Sequence, residues 1–259
     1  MSEELLVDIE GSVARLTINR PDRRNALSSG VVEALGDAFV DLSKNDELRA
    51  IILTGAGDKA FCAGGDLGDQ RSDGGMLGMH HGRGSFADLL LIMNRCSKPI
   101  IARVNGHALG GGFGLLLNCD LAVGSSSALF GTPEIKVGLF PMMIMAVIER
   151  NLPRKKAMEL MLTGERISAD EALEMGVLNA VASPEGLDEK VDELVSKVAR
   201  FSPAILRLGR QAFYKTQDMG FEEALRTLHN ELTINTLAED AGEGIMAFLS
   251  KREPEWKGR

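Results

Sequence analysis

Alternating apolar and polar positions at the start of the chain predict β structure. Residues 5–9 and 13–19 are predicted strands, and the segment Glu10-Gly11-Ser12 between them predicts a hairpin turn. A helix is expected next, because Ser28 or Ser29 can cap its first turn. The apolar residues that follow recur at the spacing of one helical face: Val31, Leu35, Phe39 and Leu42.

The middle of the chain alternates between apolar strands and helices. Residues 49–54 form a predicted buried strand after the first helix, and residues 98–104 and 120–123 are two further predicted strands. A short apolar helix is expected between the last two, over residues 111–118. Alternation of this kind favours parallel strands joined by helical crossovers, so the pattern predicts an α/β core built from β-α-β steps.

A glycine-rich stretch, residues 68–86, separates the two β-α-β steps. It holds six glycines and few apolar side chains, which predicts an irregular, mobile segment at the surface. Two interpretations stay open from the residues alone. The segment could be a lid over a pocket, or a solvated loop without a role.

Helical periodicity dominates after residue 140, and one further strand is expected over residues 178–181. Ser202-Pro203 can start a helix and is the predicted boundary between an α/β core, residues 1–200, and a C-terminal helical region, residues 201–259. The predicted helices cover residues 142–150, 154–162, 169–175, 186–201, 203–214, 221–236 and 241–249.

The charge balance argues against nucleic acid or a membrane surface as a partner. Lysine and arginine number 29 against 37 acidic residues, a formal net charge of −8, so any anionic ligand must meet a local basic patch. No segment has the run of about 18 apolar residues that a membrane span needs, and the N-terminal residues lack the pattern of an export signal. The cysteines Cys62, Cys96 and Cys119 are scattered without metal-ligand spacing, which is typical of reduced thiols. We therefore expect a cytoplasmic protein.

Two glycine-rich turns are the first candidates for chemistry. Gly64-Gly65 follows the end of an apolar strand, and Gly110-Gly111-Gly112 leads from the next strand into a helix. Backbone N–H groups at such turns and at helix starts carry partial positive charge. One N–H from Gly65 and one from Gly111 could together hold a developing enolate oxygen. The alternative is that the glycines only satisfy turn geometry and close packing.

Several motifs, taken together, resemble one family. The segments FCAGGDL, VNGHALGGG, FGTPEIKVG, and LTGERISADEALEMGVLN followed by FLSKREPEWKGR are similar, in order and spacing, to the enoyl-CoA hydratase/isomerase (crotonase) family. The resemblance runs from NRPDRRNALS at residue 19 to residue 259. It implies an α/β fold, the crotonase-type spiral of β-β-α units with a C-terminal helical trimerisation region. It also implies an acyl-CoA substrate and a homo-oligomer, either a trimer or a dimer of trimers.

The resemblance assigns site residues position by position. Gly65 and Gly111 match the family's oxyanion donors, the same pair that backbone chemistry suggests. No separate cofactor is expected, since coenzyme A is part of the substrate, and His80 and His81 have no further ligand to make a metal site. The positions that match the family's coenzyme A contacts are Arg24, Ala26, Ala63, Gly65, Asp66, Leu67, Gly68, Phe248 and Lys251, of which the last two often come from a neighbouring subunit.

The acid–base residues depart from the family's hydratase pattern. Hydratases hold the attacking water with two glutamates; one corresponds to Glu134, and the other to Gly114, which has no side chain. A single carboxylate suits removal of the proton α to the thioester and its return two carbons away, as in Δ3,Δ2-enoyl-CoA isomerisation. Hydration of a 2-enoyl-CoA stays open if another group, such as Glu149 or a residue in 68–86, replaces the missing carboxylate. So does a non-catalytic acyl-CoA-binding subunit that has lost half of its acid–base pair.

Burial beside the apolar residues Ile135, Val137 and Phe140 is expected to raise the pKa of Glu134 and fit it to exchange protons near neutrality. Without the motif, a glutamate after proline would be interpreted as a helix or turn cap.

Other residues of the sequence bear on which reaction and which base are expected. Met142 stands where the family's dienoyl-CoA isomerases carry a further acid, which disfavours that subtype. The segment 137–145 lacks the glycine-rich start common in the hydratases, and its methionines could line an acyl pocket or belong to the core. His107 is predicted to pack or hydrogen-bond and not to act as a base.

Overall fold

The computed structural model describes residues 3–66, 68 and 75–259, with the backbone alone for residues 75–79 and 81–83. Within these residues the chain forms ten strands: β1 (Leu5–Glu10), β2 (Val13–Ile18), β3 (Ala50–Gly55), β4 (Ala60–Cys62), β5 (Ile100–Val104), β6 (His107–Leu109), β7 (Leu121–Ser125), β8 (Leu129–Gly131), β9 (Arg166–Ser168) and β10 (Ala180–Ala182). The same described residues form ten α-helices: α1 (Ser29–Lys44), α2 (Gly75–Arg95), α3 (Gly111–Leu117), α4 (Met142–Asn151), α5 (Arg154–Thr163), α6 (Ala169–Glu174), α7 (Leu187–Ala199), α8 (Pro203–Thr216), α9 (Phe221–Leu237) and α10 (Glu239–Leu249). Short 3₁₀ helices, Pro21–Arg23 and Pro133–Val137, lie between them.

The predicted N-terminal hairpin and first helix are confirmed. β1 and β2 pair in antiparallel orientation. In β2, Ala14, Leu16 and Ile18 are buried and the residues between them are partly exposed, as the alternating pattern requires. Ser28 caps α1, its hydroxyl oxygen accepting a hydrogen bond from the Val31 N–H at 3.2 Å.

The strands form two sheets, and from β3 to β8 consecutive strands belong alternately to the larger and the smaller sheet. The larger sheet has the order β1-β2-β3-β5-β7-β10 and is parallel from β2 onward. The smaller sheet has the order β4-β6-β8-β9, with β4, β6 and β8 parallel. The units β3-β4-α2 and β5-β6-α3 repeat one pattern, a strand in each sheet followed by a helix. The chain is therefore a spiral of β-β-α units. The predicted parallel strands with helical crossovers are confirmed, since α1 links β2 to β3 and α3 lies between β5 and β7. The prediction lacks only the three-residue strands of the smaller sheet.

Apolar clusters cover both faces of the larger sheet. In β3, Ile51 and Leu53 belong to the main core, whereas Ile52 belongs to a second cluster with Val191 and Val195 of α7. A central parallel strand that is buried on both faces is apolar throughout and does not alternate. The largest fully buried side chains of the main core are Phe39, Phe61, Phe113 and Phe130.

The predicted irregular segment over residues 68–86 is wrong for its second half. α2 begins at Gly75 and continues to Arg95. Four of its described apolar residues are buried against the core: Phe86, Leu89, Leu90 and Met93. This packing outweighs the low helix propensity of the glycines in the first half of α2. Residues 69–74 lie outside the described residues, so the lid hypothesis for them is not tested.

The predicted C-terminal helices are confirmed as α4 to α10, and the strand predicted over residues 178–181 is β10, slightly later in the chain. Arg210 anchors α8 to the core. It is 9% exposed, pairs with Asp120 at 2.8 Å and donates to the carbonyls of Met93 and Cys96. The division into two domains at residue 200 stays a prediction. Within the described residues, no helix combines the length and the apolar character needed to cross a membrane.

The last residues of the chain fold back onto α10 through Asp240, which is 1% exposed. Its carboxylate accepts hydrogen bonds from the Ser202 hydroxyl at 2.5 Å and from the Lys257 and Gly258 N–H groups at 2.8 and 2.9 Å. Asp240→Ala leaves these donors without their acceptor, so we expect the free energy of unfolding to fall by about 1–3 kcal/mol. Asp41→Ala, at a carboxylate whose side chain is 78% exposed, is the control and should change it by less than about 0.5 kcal/mol. Urea denaturation measures both, and equal losses would contradict the assignment.

Candidate active site

Three loops meet at one edge of the smaller sheet. Because β4, β6 and β8 are parallel neighbours, their carboxyl ends lie side by side, where α/β proteins commonly place their sites. β4 is followed by Gly64-Gly65, β6 by Gly110-Gly111 at the start of α3, and β8 by the 3₁₀ helix that carries Glu134. The predicted donors and the predicted base therefore belong to adjacent loops.

The backbone N–H groups of Gly65 and Gly111 are neighbours. A Cβ built on Gly111 would lie 3.5 Å from the Gly65 nitrogen, and one built on Gly64 would lie 3.1 Å from the Gly111 nitrogen. Leu27 holds the turn, since its N–H donates to the Gly64 carbonyl (2.8 Å) and its carbonyl accepts from the Asp66 N–H (2.9 Å). Among the described residues, the Gly65 and Gly111 N–H groups donate to no protein acceptor. Two adjacent donors of this kind can bind one carbonyl oxygen.

The residue before each of these two donors must be glycine. Gly64 has a φ of 97° and Gly110 a φ of 54°, both in the left-handed region that other residues rarely adopt. Gly110 also lies against the predicted base, because a Cβ at this position would be 2.8 Å from Oε1 of Glu134. A larger residue at position 110 would therefore displace the carboxyl group.

Glu134 presents an unsatisfied carboxyl oxygen. The residue follows Thr132 and Pro133, and the buried Thr132 hydroxyl fixes the start of the loop by donating to the Leu160 carbonyl at 3.0 Å. Oε2 of Glu134 is buried and has no hydrogen-bond partner among the described residues. Burial raises the pKa of Glu134 above its ordinary value of 4.5. A buried carboxyl without a partner is a candidate proton-transfer group.

Two of the three residues predicted to bury Glu134 are themselves exposed. Ile135 is 38% exposed and Val137 is 63% exposed, while Phe140 is half-buried. The carboxyl group is covered by the start of α3, where the backbone of Gly110 lies against Oε1. The predicted rise in the pKa of Glu134 is confirmed in direction, and the loop at Gly110 contributes to the burial.

Gly114, the position of the second hydratase glutamate, is buried in α3. A Cβ on Gly114 would lie 2.2 Å from Cγ2 of Ile144, so the isoleucine occupies the space that a side chain would need. Glu149, a candidate replacement from the sequence, has a side chain that is 62% exposed and pairs with Arg150 at 3.2 Å. Its exposure makes it a poor substitute for a buried acid.

Arg20, which the sequence analysis did not single out, ties the first loop to the glycine turn. Its guanidinium pairs with Asp66 and with Glu4, each at 2.8 Å, and donates to the Ala26 carbonyl at 2.6 Å. The hydrogen bond from Arg20 holds the pKa of Asp66 below its ordinary value. Arg20 therefore joins three segments of the chain beside Gly65.

Asn25 fixes the same loop from inside the protein, and it too was missed. It is 1% exposed, accepts from the Arg20 N–H at 3.0 Å and donates to the carbonyls of Ala56 and Ala60 at 2.9 and 2.7 Å. Arg24 and Asn25 have φ values of 52° and 55°, which are uncommon outside glycine. An asparagine among charged residues after a proline is the signal that could have indicated this turn.

The predicted coenzyme A contacts near the glycine turn form one group. Ala63 donates its N–H to the Arg24 carbonyl at 3.1 Å, which places the first loop beside the turn. The Asp66 carboxylate is engaged by Arg20 and by the Gly68 N–H (3.0 Å), so its side chain is already occupied. Leu67 lies outside the described residues.

Phe248 and Lys251 are separate from that group. Phe248, near the end of α10, is 82% exposed, and Lys251 is exposed just beyond it. α10 packs on α8 and α9. A side chain this exposed is not packed into the site of its own chain, so its predicted role depends on a neighbouring subunit.

We expect Arg20→Met to loosen the first loop and lower kcat/KM for the substrate. Removing a charge-assisted hydrogen-bond donor from partly buried acceptors costs about 1.5–3 kcal/mol, or about 10- to 100-fold in kcat/KM if the loop binds the substrate. Arg154→Met, at an exposed arginine at the start of α5, is the control. Steady-state kinetics test the pair, and an unchanged kcat/KM for Arg20→Met would show that the loop takes no part in binding.

His107 is engaged by the backbone at the start of the smaller sheet's strand β8. The Nδ1 atom of His107 accepts a hydrogen bond from the Leu129 N–H at 3.1 Å, which is the hydrogen-bonding role predicted for it. Burial lowers the pKa of His107 below its ordinary value. His80 is exposed on α2, and the His81 side chain lies outside the described part. In the part of the chain that the structure describes, no three His, Cys, Asp or Glu side chains form a group that could hold a metal.

Fold and site together define the class of protein, an α/β crotonase fold whose site combines paired backbone donors with a buried carboxyl. The chain belongs to the enoyl-CoA hydratase/isomerase family, whose model matches residues 8–259.

Individual relatives are similar to the chain over nearly its full length, in sequence and in structure. The chain is 37% identical over 264 residues to the carnitinyl-CoA dehydratase of Escherichia coli strain SMS-3-5, with all of both chains covered. The crystal structure of an enoyl-CoA hydratase from Mycobacterium smegmatis is 38% identical, with a TM-score of 0.94 over 98% of this chain and 99% of that one. An enoyl-CoA hydratase structure from Bacillus anthracis is 32% identical, with a TM-score of 0.92 over 99% and 100%.

Proposed function

We propose that this enzyme acts on an acyl-CoA thioester, binding the thioester oxygen through the Gly65 and Gly111 N–H groups and moving a proton at the adjacent carbon with Glu134. One observation supports the proposal most. The unpartnered Oε2 of Glu134 is buried one loop away from two neighbouring N–H donors that have no protein acceptor. Donors pre-oriented for an oxyanion stabilise an enolate as it forms.

Isomerisation of a 3-enoyl-CoA to a 2-enoyl-CoA uses the fewest groups. Ionised Glu134 takes a proton from C2, the C3=C4 double bond moves to C2=C3, and protonated Glu134 returns the proton to C4. The same carboxyl serves as base and then as acid. A raised pKa suits both half-reactions, because it brings the protonated and ionised forms closer in energy at neutral pH than in an ordinary glutamate.

Dehydration of a 3-hydroxyacyl-CoA, or its reverse, is the second candidate. The supporting observation is the full-length 37% identity to a protein named carnitinyl-CoA dehydratase. Here Glu134 would remove the C2 proton, and the C3–O bond would break as the departing hydroxyl receives that proton. A single carboxyl can perform both transfers only on one face of the substrate, without a second group to orient the water.

The C-terminal helices support assembly into a homo-oligomer. None of the residues of α9 is buried. α9 and the neighbouring α10 carry many exposed apolar side chains: Phe221, Leu225, Leu232, Leu237, Ile245, Met246, Phe248 and Leu249. Apolar patches of this kind are usually covered by a partner. Light scattering should give a mass of three or six chains, and a monomer at working concentrations would contradict the assembly.

The activity should depend on pH through Glu134. The ionised carboxylate is the base, and burial raises its pKa above 4.5. As the pH falls through that raised value, the base is protonated and kcat/KM should decline. The pH profile, taken where circular dichroism shows the protein folded, should place the acidic midpoint above 4.5. A midpoint at or below that value would argue against Glu134 as the titrating base.

Product analysis separates the candidates. The enzyme is incubated with a 3-enoyl-CoA, a 2-enoyl-CoA and a 3-hydroxyacyl-CoA in deuterated water, and double-bond position, hydration and deuterium at C2 are followed by mass spectrometry and NMR. Conversion of the 3-enoyl-CoA faster than hydration of the 2-enoyl-CoA supports isomerisation. Rapid interconversion of the 2-enoyl and 3-hydroxyacyl forms supports the dehydratase. A chain that binds acyl-CoA and changes none of the three would overturn the proposal in favour of a binding subunit.

A further inference from the structure

Ile144 occupies a position that bears on the choice of reaction. It lies on α4, is 3% exposed and packs directly against the α-carbon side of Gly114 on α3. A Cβ on Gly114 would be 2.2 Å from Cγ2 and 2.7 Å from Cβ of Ile144. Real Cβ contacts are essentially never this short, so the two residues form a size-matched pair in which only one can carry a side chain.

Gly114 lies one helical turn after Gly110, the residue that contacts the proposed base. The Gly114 N–H donates to the Gly110 carbonyl at 3.1 Å. Gly110 in turn lies against Glu134, since a Cβ on it would be 2.8 Å from Oε1. Residues four apart on a helix share a face. A side chain at position 114 would therefore extend from the same part of α3 that contacts Glu134, and Ile144 fills the beginning of that path.

Water cannot be oriented by an isoleucine, which has neither a donor nor an acceptor. Hydration adds a water to C3 and needs a polar group to hold it, whereas a one-base proton shuttle does not. A contact between two apolar groups also offers none of the polar partners that a trapped water needs. The Gly114–Ile144 contact thus favours one of the two proposed reactions by its volume alone.

We propose that Ile144 is a specificity-determining residue that restricts this site to one-carboxylate chemistry by occupying the space of a second acid at position 114. The inference rests on the proposed function, because it concerns the outcome of the same proton transfer. It goes further in naming a residue on α4 that packs against Gly114 of α3. It also predicts which substitution must accompany a restored glutamate.

The geometry specifies the compensating change. Alanine at position 144 would keep the Cβ that lies 2.7 Å from the new side chain, whereas glycine would leave only the Ile144 Cα, at 3.7 Å. The variants are therefore Gly114→Glu, Ile144→Gly and the double variant Gly114→Glu/Ile144→Gly. Ile148→Gly, at a fully buried isoleucine one turn further along α4, is the matched control for damage to that helix.

Two measurements are made on each variant. Thermal melting should show Gly114→Glu strongly destabilised and the double variant melting above it, which does not depend on any activity. The ratio of hydration to isomerisation, measured on 2-enoyl-CoA and 3-enoyl-CoA, should rise at least about 10-fold in the double variant relative to the parent chain, the lower end of what a positioned acid–base group contributes being about 100-fold. Ile148→Gly should lower the melting temperature and leave the ratio unchanged.

Several outcomes would overturn the inference. One is a Gly114→Glu single variant that melts like the parent chain, since Ile144 would then exclude nothing. Another is a folded double variant that isomerises with the parent's hydration ratio. If the double variant does not fold, Gly114→Asp/Ile144→Gly, with its shorter carboxylate, is judged by the same ratio. A parent chain inert toward every enoyl-CoA would instead refute the proposed function, while the melting data would still judge the Gly114–Ile144 pair.

Discussion

Glu134→Gln is expected to lower kcat by about 100- to 10,000-fold while raising the melting temperature. The loss of activity follows from removal of the group that carries the proton. Glutamine has nearly the same shape, so it keeps the contact with Gly110 and leaves the fold unchanged. Kinetics on the preferred enoyl-CoA and differential scanning calorimetry at neutral pH measure the two effects.

The stabilisation by glutamine follows from the direction of the pKa shift. Burial raises the folded-state pKa of Glu134, so the ionised form is disfavoured in the folded protein. That penalty is fully present above the folded pKa and disappears as the pH falls toward the unfolded value of 4.5. The neutral amide avoids it, so its advantage should be largest at neutral pH and shrink on acidification. Lower stability of Glu134→Gln at neutral pH would contradict the assignment of Glu134 as a buried, unpartnered carboxyl.

Gly65→Pro is expected to lower kcat by about 100- to 1000-fold, the usual effect of removing one oxyanion donor. Proline removes the N–H that faces the proposed thioester oxygen. Since this N–H donates to no acceptor among the described residues, the substitution removes no hydrogen bond that the fold uses there. The neighbouring bonds from Leu27 to Gly64 and from Asp66 to Leu27 involve other atoms and remain available.

Gly65→Ala is the matched control for the proline variant. A Cβ at this position meets no heavy atom of the described residues within 4 Å, so alanine fits there and keeps the N–H. Its kcat should stay within about 10-fold of the parent chain. Both variants should melt like the parent chain. A proline variant as active as the alanine variant would remove the Gly65 N–H from the mechanism.

The proposed oxyanion donors could be located from sequence because they depend on local backbone properties. A strand end followed by glycines gives a turn with free N–H groups, and this holds whatever the surrounding fold. The hairpin, the capped α1 and the C-terminal helices were predictable for the same reason, since each has a complete local signal of alternation, cap or period. Glu134 required the resemblance, because a glutamate after proline is otherwise an ordinary cap.

Sequence periodicity could not predict the smaller sheet. Its strands β4, β6, β8 and β9 have three residues each, too few to display alternation. The missed half of α2 has a different cause, because buried Leu89 and Met93 hold a helix that begins among glycines. In both cases tertiary packing decides the structure, and packing is not visible in a local window.

The missed site residues depend on contacts between distant segments. Arg20 reaches Asp66 across 46 positions of the chain, and Ile144 fills the space beside Gly114 from another helix. The absence of a side chain at Gly114 was visible in the sequence. What occupies the resulting space could only be seen once α3 and α4 were packed together.

Exchange of the C2 protons of a saturated acyl-CoA, such as butyryl-CoA, in deuterated water tests the central claim most directly. This substrate has no double bond to move and no hydroxyl to lose, so exchange reports only on the two backbone donors and the base. We predict deuterium at C2 with the parent chain and exchange reduced to background with Glu134→Gln, although both bind the thioester. Exchange at the parent rate in Glu134→Gln, or none in a parent chain that binds butyryl-CoA, would contradict the account.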